Sequence, residues 1–479
     1  MVETTHTYHS GNPIRWFVYL GTALLAAGLG AVIAQGGLMA GLALLGLPAA
    51  LFFLGWLMQH PRVGLDGSML VGFFSAGISR YLNAPWGLAM DSFLFIGWLA
   101  FLFLKFRKSD WSPLRNSAMT ITLVWFGLVV MELANPESNG LTCWFYAMRG
   151  AGFYQLLTFG LTFLMLRDVK DLDRFLRWMI VLSVIGSLWG LRQLIFGVDA
   201  AEYRWLYVDG FAFTHILAGK LRVFSFYSDA GQFGASQAMV ALICGIVLSA
   251  GAVKGAQKWL YITGFVLTFV GFAISGTRGA LAVPAVGAIG YLVISRNFKV
   301  LSVGLVMIGL AFYILKFTFA FQGVDQIRRM RTAMNPDDPS MLVRLNNQKT
   351  FGHYLATRPF GGGIGAAGFW GFRFNPYSLL ANTATDSYYV KIWAETGIIG
   401  ICLHLFMFGF FVGKGGLVVW HLRDPVLRAK IAAIYCGMLG VFMASYGNQV
   451  YSQMPTGILM GIGIPLIFIS PKWDMEPKI

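Results

Sequence analysis

Charged side chains are scarce in this sequence. They make up 12% of 479 residues, while hydrophobic residues reach 57%. Soluble domains carry roughly twice that share of charge, so a water-soluble globule is excluded. Acid is scarcer than base, with 21 Asp+Glu against 36 Lys+Arg and a formal charge of +15. In a soluble chain that excess would suggest nucleic acid. In a chain built of apolar runs it reflects basic cytoplasmic loops, and no nucleic-acid partner is expected. The four cysteines form no disulfide framework: Cys244, Cys402 and Cys436 lie inside apolar runs and Cys143 near a loop. No Cys/His cluster has metal-ligand spacing, so neither metal nor cofactor is expected. Fixed-period repeats and low-complexity tracts are absent too. The N-terminus lacks a clear signal peptide; Arg15 and the run Ile14–Ala34 read as a retained signal-anchor.

What is present is a succession of apolar runs, several of them short of the ~20 residues that cross ~30 Å of hydrocarbon. Spans are expected at Ile14–Ala34, Leu38–Met58, Met69–Leu82, Trp86–Leu104, Asn116–Leu133, Gly150–Leu166 and Phe175–Phe196. Further spans are expected at Ala230–Ala250, Trp259–Ile274, Ala280–Ile294, Val300–Phe321, Tyr388–Val412, Ile431–Ala444 and Gly457–Ile469. The reading is an all-α integral membrane protein of about 12–14 transmembrane helices, residues 1–479 forming one polytopic domain.

Basic residues set the orientation. Lys105, Arg107, Lys108 and Arg115 share one short loop, and Arg167, Lys170, Arg174 and Arg177 another. Lys254 with Lys258, Arg296 with Lys299, and Lys414 through Lys430 mark three more. About fourteen spans put all of them, and both termini, on the cytoplasmic side. Two long segments then face outward, 197–229 and 322–387. Loops of this length are usually functional. In the second, Asp338-Pro339 could start a helix through Met341, Leu345, Phe351 and Leu355. It could lie on the membrane surface or pack over the bundle.

Three outward clusters carry the chemistry. The first is Arg222-Val-Phe-Ser225-Phe-Tyr-Ser-Asp229, just before a span. The second is Ser275-Gly-Thr277-Arg278-Gly in a minimal loop. The third runs from Arg358-Pro-Phe-Gly-Gly-Gly-Ile-Gly to Thr385-Asp386-Ser387-Tyr388 and closes with Glu395-Thr-Gly-Ile-Ile-Gly400. Guanidinium is always charged and forks onto phosphate oxygens. Two such arginines beside small residues suit a diphosphate at the outer interface. The bland alternative is that Arg222 and Arg278 only anchor helix ends by snorkelling.

These motifs, in this order and on one side, resemble the O-antigen ligase and Wzy-type polymerase family, over roughly 189–412. The resemblance implies a GT-C-type helical bundle with a large periplasmic loop in the bacterial inner membrane. It implies a metal-independent, inverting glycosyltransferase. The donor would be a glycan on undecaprenyl diphosphate and the acceptor a lipid-linked glycan, both met among membrane lipids. Arg222 and Arg278 would hold the diphosphate and stabilise its leaving charge. Ligases of the family carry His at the loop-to-helix junction as a proposed acceptor base. This chain has Asp386 there, and a carboxylate can do that proton work. His353 is the substitute base, or a partly exposed histidine without a role. Arg344, His353, Arg358 and Tyr388 are the expected substrate-binding residues. The departure favours a polymerase of exopolysaccharide, capsule or O-antigen units over a ligase acting on lipid A core.

Other signals are discounted. Gly363-Ile-Gly-Ala-Ala-Gly368 spells GxGxxG but follows no strand of a βαβ unit. The Arg328–Arg331 run reads as a headgroup-facing patch, and Asp337-Asp338 as a turn and cap. A transporter, for bicarbonate or another solute, would place ionisable groups deeper in the bundle; only His404 stands out there, with Asp91, Glu132 and Glu395 nearer span ends.

Orientation is testable by cysteine labelling of intact cells. Cysteines placed near Arg222, Arg278 or Asp386 should react with an impermeant maleimide. One beside Lys108 should not, and labelling there would reject this topology.

Overall fold

A computed structural model describes residues 51–474 apart from 83, 85, 106–109, 218 and most of 297–338, with scattered positions before residue 51. The expected spans Ile14–Ala34 and Val300–Phe321 fall wholly or mostly outside the described residues, as do much of Leu38–Met58, Arg107, Lys108, Arg329 and Asp337-Asp338. Among the described residues, eight helices are long and apolar enough to cross a membrane, and Arg278–Ile294 is a shorter apolar piece. The protein is an all-α integral membrane protein.

The helices, in order, are α1 (Arg62–Ile78), α2 (Trp86–Lys105), α3 (Ser117–Met131), α4 (Gly140–Met148) and α5 (Tyr154–Met165). Then come α6 (Val169–Phe196), α7 (Ala200–Tyr207), α8 (Ala230–Ser249), α9 (Gly255–Ile274) and α10 (Ala282–Ile294). The last are α11 (Pro339–Leu355), α12 (Gly368–Phe374), α13 (Tyr388–His421), α14 (Pro425–Ala444) and α15 (Thr456–Asp474).

Several begin earlier than their apolar runs. α1 starts at Arg62 rather than Met69, and α6 at Val169 rather than Phe175. For α6 the reason is capping, while Pro61 ahead of α1 makes no side-chain cap bond. Asp168 accepts from Asp171 N in a reciprocal capping box, so α6 starts in the polar interface. Asp424 accepts from Val426 N (2.8 Å), with Pro425 at the first helical position, so α14 starts six residues before Ile431. The span expected from Gly150 is continuous with α4 through a π-helical turn at Arg149–Phe153. Arg149 in that turn pairs with Asp91 (2.6 Å), which also accepts from Tyr154 Oη (2.6 Å).

α8 is the central helix, buried along most of its length. It packs on α9, α14, α10 and α6. Gln237 on it is satisfied inside: it accepts from Ser187 Oγ (3.0 Å) and donates to Tyr227 Oη (2.9 Å). In hydrocarbon such groups have no water to turn to.

The two faces of the bundle differ. One gathers Arg115, Arg167, Lys170, Lys254 and Arg423 at helix ends, and its loops interlock. Trp473 Nε1 donates to Arg167 O (2.6 Å), Arg423 N to Asp474 (2.9 Å), and Lys430 pairs with Asp173 (2.5 Å). The other face carries the long segments. In 197–229, α7 is tied to α6 by Glu202, which is fully buried and accepts from Trp189, Arg192 and Gln193. A two-residue antiparallel pairing, Ile216–Leu217 with Lys220–Leu221, follows. In the other segment the expected helix is present as α11. Phe351 and Leu355 bury against Val390 and Ala394 of α13, so its second half packs over the bundle, while Leu342 and Leu345 are exposed.

α13 is interrupted at Gly397, whose φ of 62° breaks the helix. The loop from Arg358 docks into the break. A Cβ on Gly397 would sit 2.1 Å from Pro359 O, and Gly362 N donates to Ala394 O (2.9 Å). Gly397→Ala should therefore expel the 358–368 loop and cost at least about 1–3 kcal/mol from the dihedral strain alone. Thermal melting of detergent-solubilised protein, with limited proteolysis around residue 360, checks this. Unchanged melting and cleavage would mean the loop is not held here.

Candidate functional site

The segment before α8 is held by an arginine that the sequence did not single out. Arg80, at the end of α1, is 4% exposed. It donates to Ser225 O (2.6 Å) and Tyr227 O and lies over the Trp205 and Phe224 rings (4.2 and 4.5 Å to the centroids). Ser225 takes a positive φ of 53°, and its N–H donates to Gln193 Oε1 (2.8 Å). Arg222 therefore rises from a fixed base. Its guanidinium donates to Thr277 Oγ1 (3.2 Å) and to Thr214 O (3.3 Å).

Thr277 is the link between the two expected arginines. It donates to Ala230 O at the start of α8 (2.8 Å) while receiving Arg222. Gly234 must be glycine for this approach, since a Cβ there would meet Ser275 Oγ at 2.3 Å. Arg278 follows directly, partly exposed at the head of a single 3₁₀ turn. The first two motifs thus meet at one short turn.

The third motif joins through the loop between α14 and α15. Gly447 packs beside Gly279, a Cβ on it lying 3.8 Å from the Gly279 Cα. Gly447 O accepts from Arg344 Nη2 (3.0 Å), and Arg344 Nε lies 3.7 Å from Asp386 Oδ2. Asn448 donates to Asp229 (3.2 Å), which caps α8 through Gly231 N and Gln232 N. Gln449 donates to Thr385 (3.0 Å), and Tyr388 N to Ser445 O (2.9 Å). The polar run Ser445–Gln449 was the signal available, since it sits between two apolar spans on the motif-bearing side.

Asp386 stands two residues before α13. Its side chain is 43% exposed and its φ is 44°. Ser387 takes the cap position and makes no side-chain cap bond. Of the expected substrate residues, Arg344 is here. Arg358 is engaged elsewhere, 3.3 Å from Glu137 and stacked on Tyr354 (4.1 Å). His353 is exposed on α11 and makes no hydrogen bond among the described residues. Tyr388 turns inward, 2% exposed, against His404, Phe408 and Tyr451. It is a packing residue in this geometry.

The GxGxxG loop spends its backbone donors inside the molecule. Gly365 and Ala367 N–H point to the Glu395 carboxylate, and a Cβ on Gly365 would meet Cys143 Sγ at 2.8 Å. Among the described residues no group of three or more His, Cys, Asp or Glu could hold a metal ion.

A polytopic helical bundle thus carries two arginines and a carboxylate on one face. Residues 263–405 match the protein-family model described as O-antigen ligase, the family the motifs resemble, and a membrane protein carrying this segment is of the glycan-transfer kind. The match takes in Arg278, Arg344, Arg358 and Asp386; Arg222 lies before it. No curated protein matches the chain.

His215 gives the site a dependence on pH. Burial pushes its imidazole below the ordinary 6.5, and Arg80 and Arg222 push the same way, against Asp229. The unfolded chain then takes up the proton more readily than the folded one. Stability of the 198–229 segment is complete above pH 6.5 and falls as pH drops through it. Corrected for the base-catalysed intrinsic rate, hydrogen-exchange protection of this segment should be lower at pH 5.5 than at pH 7.5, about one unit either side of an ordinary histidine pKa. His215→Phe, which can keep the stacking on Trp205 and Phe224, should remove the difference. Equal protection at both pH values in the native protein would contradict this.

Proposed function

We propose that the protein polymerises oligosaccharide repeat units carried on undecaprenyl diphosphate, at the periplasmic face of the inner membrane. The observation that supports this most is the meeting of Arg222 and Arg278 at Thr277, with Asp386 tied to the same turn through Arg344 and Gly447. An acceptor hydroxyl attacks the anomeric carbon and gives its proton to the Asp386 carboxylate. The bond from that carbon to the diphosphate oxygen breaks with inversion. Its electron pair passes to the phosphate, where Arg222 and Arg278 meet the developing charge. Arg344 orients Asp386 and lies between it and the arginine turn. No metal has a role in this scheme.

A ligase acting on lipid A core is the second reading, favoured by the description of the matching family. Asp386 in place of the family histidine speaks for polymerisation. Solute transport would use His404, but both its ring nitrogens lack a hydrogen-bond partner inside an aromatic cage of Trp125, Tyr388 and Phe408, which offers no polar path.

Arg222→Ala and Arg278→Ala should each lower polymer formation about 10²–10³-fold with normal membrane insertion. Lysine should rescue poorly, because a point charge does not fork. Asp386→Asn should lose roughly 10²–10⁴ in rate while lipid-donor binding persists, and EDTA should change nothing. The measurement is gel analysis of surface glycan in a deletion strain complemented with each variant. Single-unit glycan is expected, and normal polymer from Asp386→Asn with loss in His353→Ala would transfer the base to His353.

A further inference from the structure

The short helix α12 turns large apolar side chains outward while its other face is firmly held. Phe369 and Phe372 are 69% and 61% exposed, and Arg373 is exposed beside them. Residues three and four apart share a helix face, so these three form one face. Trp370, Gly371 and Phe374 form the other. Trp370 stacks on Tyr146 of α4 with ring centroids 5.0 Å apart, and Phe374 lies 6.1 Å from the same ring. A Cβ on Gly371 would sit 2.1 Å from Ala366 O, and Asn375 Nδ2 donates to Asn139 Oδ1 (3.1 Å). The level of Tyr146 in the membrane then fixes the level of α12. From Gly140 through the π-helical turn to Met165 the helix is continuous, about 39 Å long at helical rise. That overhangs the ~30 Å of hydrocarbon by about 4–5 Å at each end. Tyr146 lies about 9 Å below Gly140 on the same rise, inside the hydrocarbon edge. Leu141 and Phe145 of α4, one turn apart, are exposed too. The rings of Phe145, Tyr146, Trp370 and Phe369 form an unbroken series, with centroids 6.1, 5.0 and 5.0 Å apart.

We propose that α12 is a foot by which the segment 322–387 stands in the bilayer: Phe369 and Phe372 enter the acyl chains of the leaflet on this face, and Arg373 meets lipid phosphate. Aromatic rings with a basic neighbour suit the membrane interface, and guanidinium forks onto phosphate oxygens. The backbone requirement is met as well. Unpaired N–H and C=O groups are costly at this depth, and here the chain is helical, while residues 361–367 ahead of it are buried in protein. The foot is coupled to the glycine loop, because Gly371 rests on Ala366. Bilayer contact therefore helps to hold the loop that fills the break in α13. The inference does not depend on the transfer reading.

The test uses full-length protein in nanodiscs of phosphatidylethanolamine and phosphatidylglycerol, with the exposed Cys402 replaced by serine. A nitroxide is attached in turn to Phe369→Cys, Phe372→Cys and, as a control at an exposed site outside the helix, Tyr377→Cys. Power saturation should show the first two reached by oxygen and shielded several-fold from a water-soluble nickel chelate, with the reverse at the control. Equal access of nickel to all three would put the face in water and overturn the proposal. Shielding from both reagents would mean that another part of the chain or a second copy covers it, and would overturn it too. Arg373→Glu should raise nickel access at Phe372→Cys several-fold; an unchanged profile would reject the phosphate contact. Should a cysteine variant fail to fold, phosphatidylglycerol with a diazirine in its acyl chain probes the unsubstituted protein. Cross-links should fall on 369–373 as well as on α4, and cross-links on α4 with none on α12 would overturn the proposal.

Discussion

Hydrocarbon offers a backbone no partner, and most of this architecture follows from that. Each segment that crosses must satisfy its own N–H and C=O groups, which leaves helices. Charges are paired where they approach the bundle, as in Asp91 with Arg149 and Tyr154. The chemistry-bearing residues are thereby confined to helix ends and to the loops of one face. The sole described break inside a long helix obeys the same rule. At Gly397 the freed backbone is met by another stretch of backbone, the loop after Arg358.

That docked loop explains a sequence feature that would otherwise mislead. Gly361, Gly363 and Gly365 all take positive φ, and their contacts are with α13, Ser138 and Cys143. The glycines allow the chain to lie against other backbone, and the N–H groups they expose turn to Glu395. A phosphate-binding loop would present those donors to a ligand. The same residue types serve close packing here because a carboxylate inside the bundle needs donors more urgently than one in water.

The arginine turn owes its position to buried groups that do no chemistry. Arg80 fixes the strand before α8, and Thr277 fixes Arg222 relative to Arg278. The loop Ser445–Gln449 fastens Arg344 and the Asp386 segment to the same place. A preorganised pair of donors is what stabilisation of a leaving diphosphate requires, since donors that must first reorient lose part of their effect.

Membrane residence and helical class were legible in the sequence, because each is set by composition over whole segments. So were the three motifs, since arginine and glycine beside apolar runs are uncommon enough to stand out. The apolar runs begin at Phe175 and Ile431, later than the helices that hold them, because the caps Asp168 and Asp424 extend those helices beyond their apolar stretch. Tyr388 and Arg358 looked like ligand contacts from their place in a motif, yet whether a side chain faces out or in depends on what packs against it. Asp386 stands out as an acceptor base from its place in the motif, while its exposed setting beside Arg344 is visible only in the fold. Composition determined where this protein lives and which residues are unusual. The tertiary structure alone decided which of them meet, because Arg222, Arg278, Arg344 and Asp386 are joined by the Ser445–Gln449 loop, Thr277 and Arg80, polar groups whose partners lie far away in the chain.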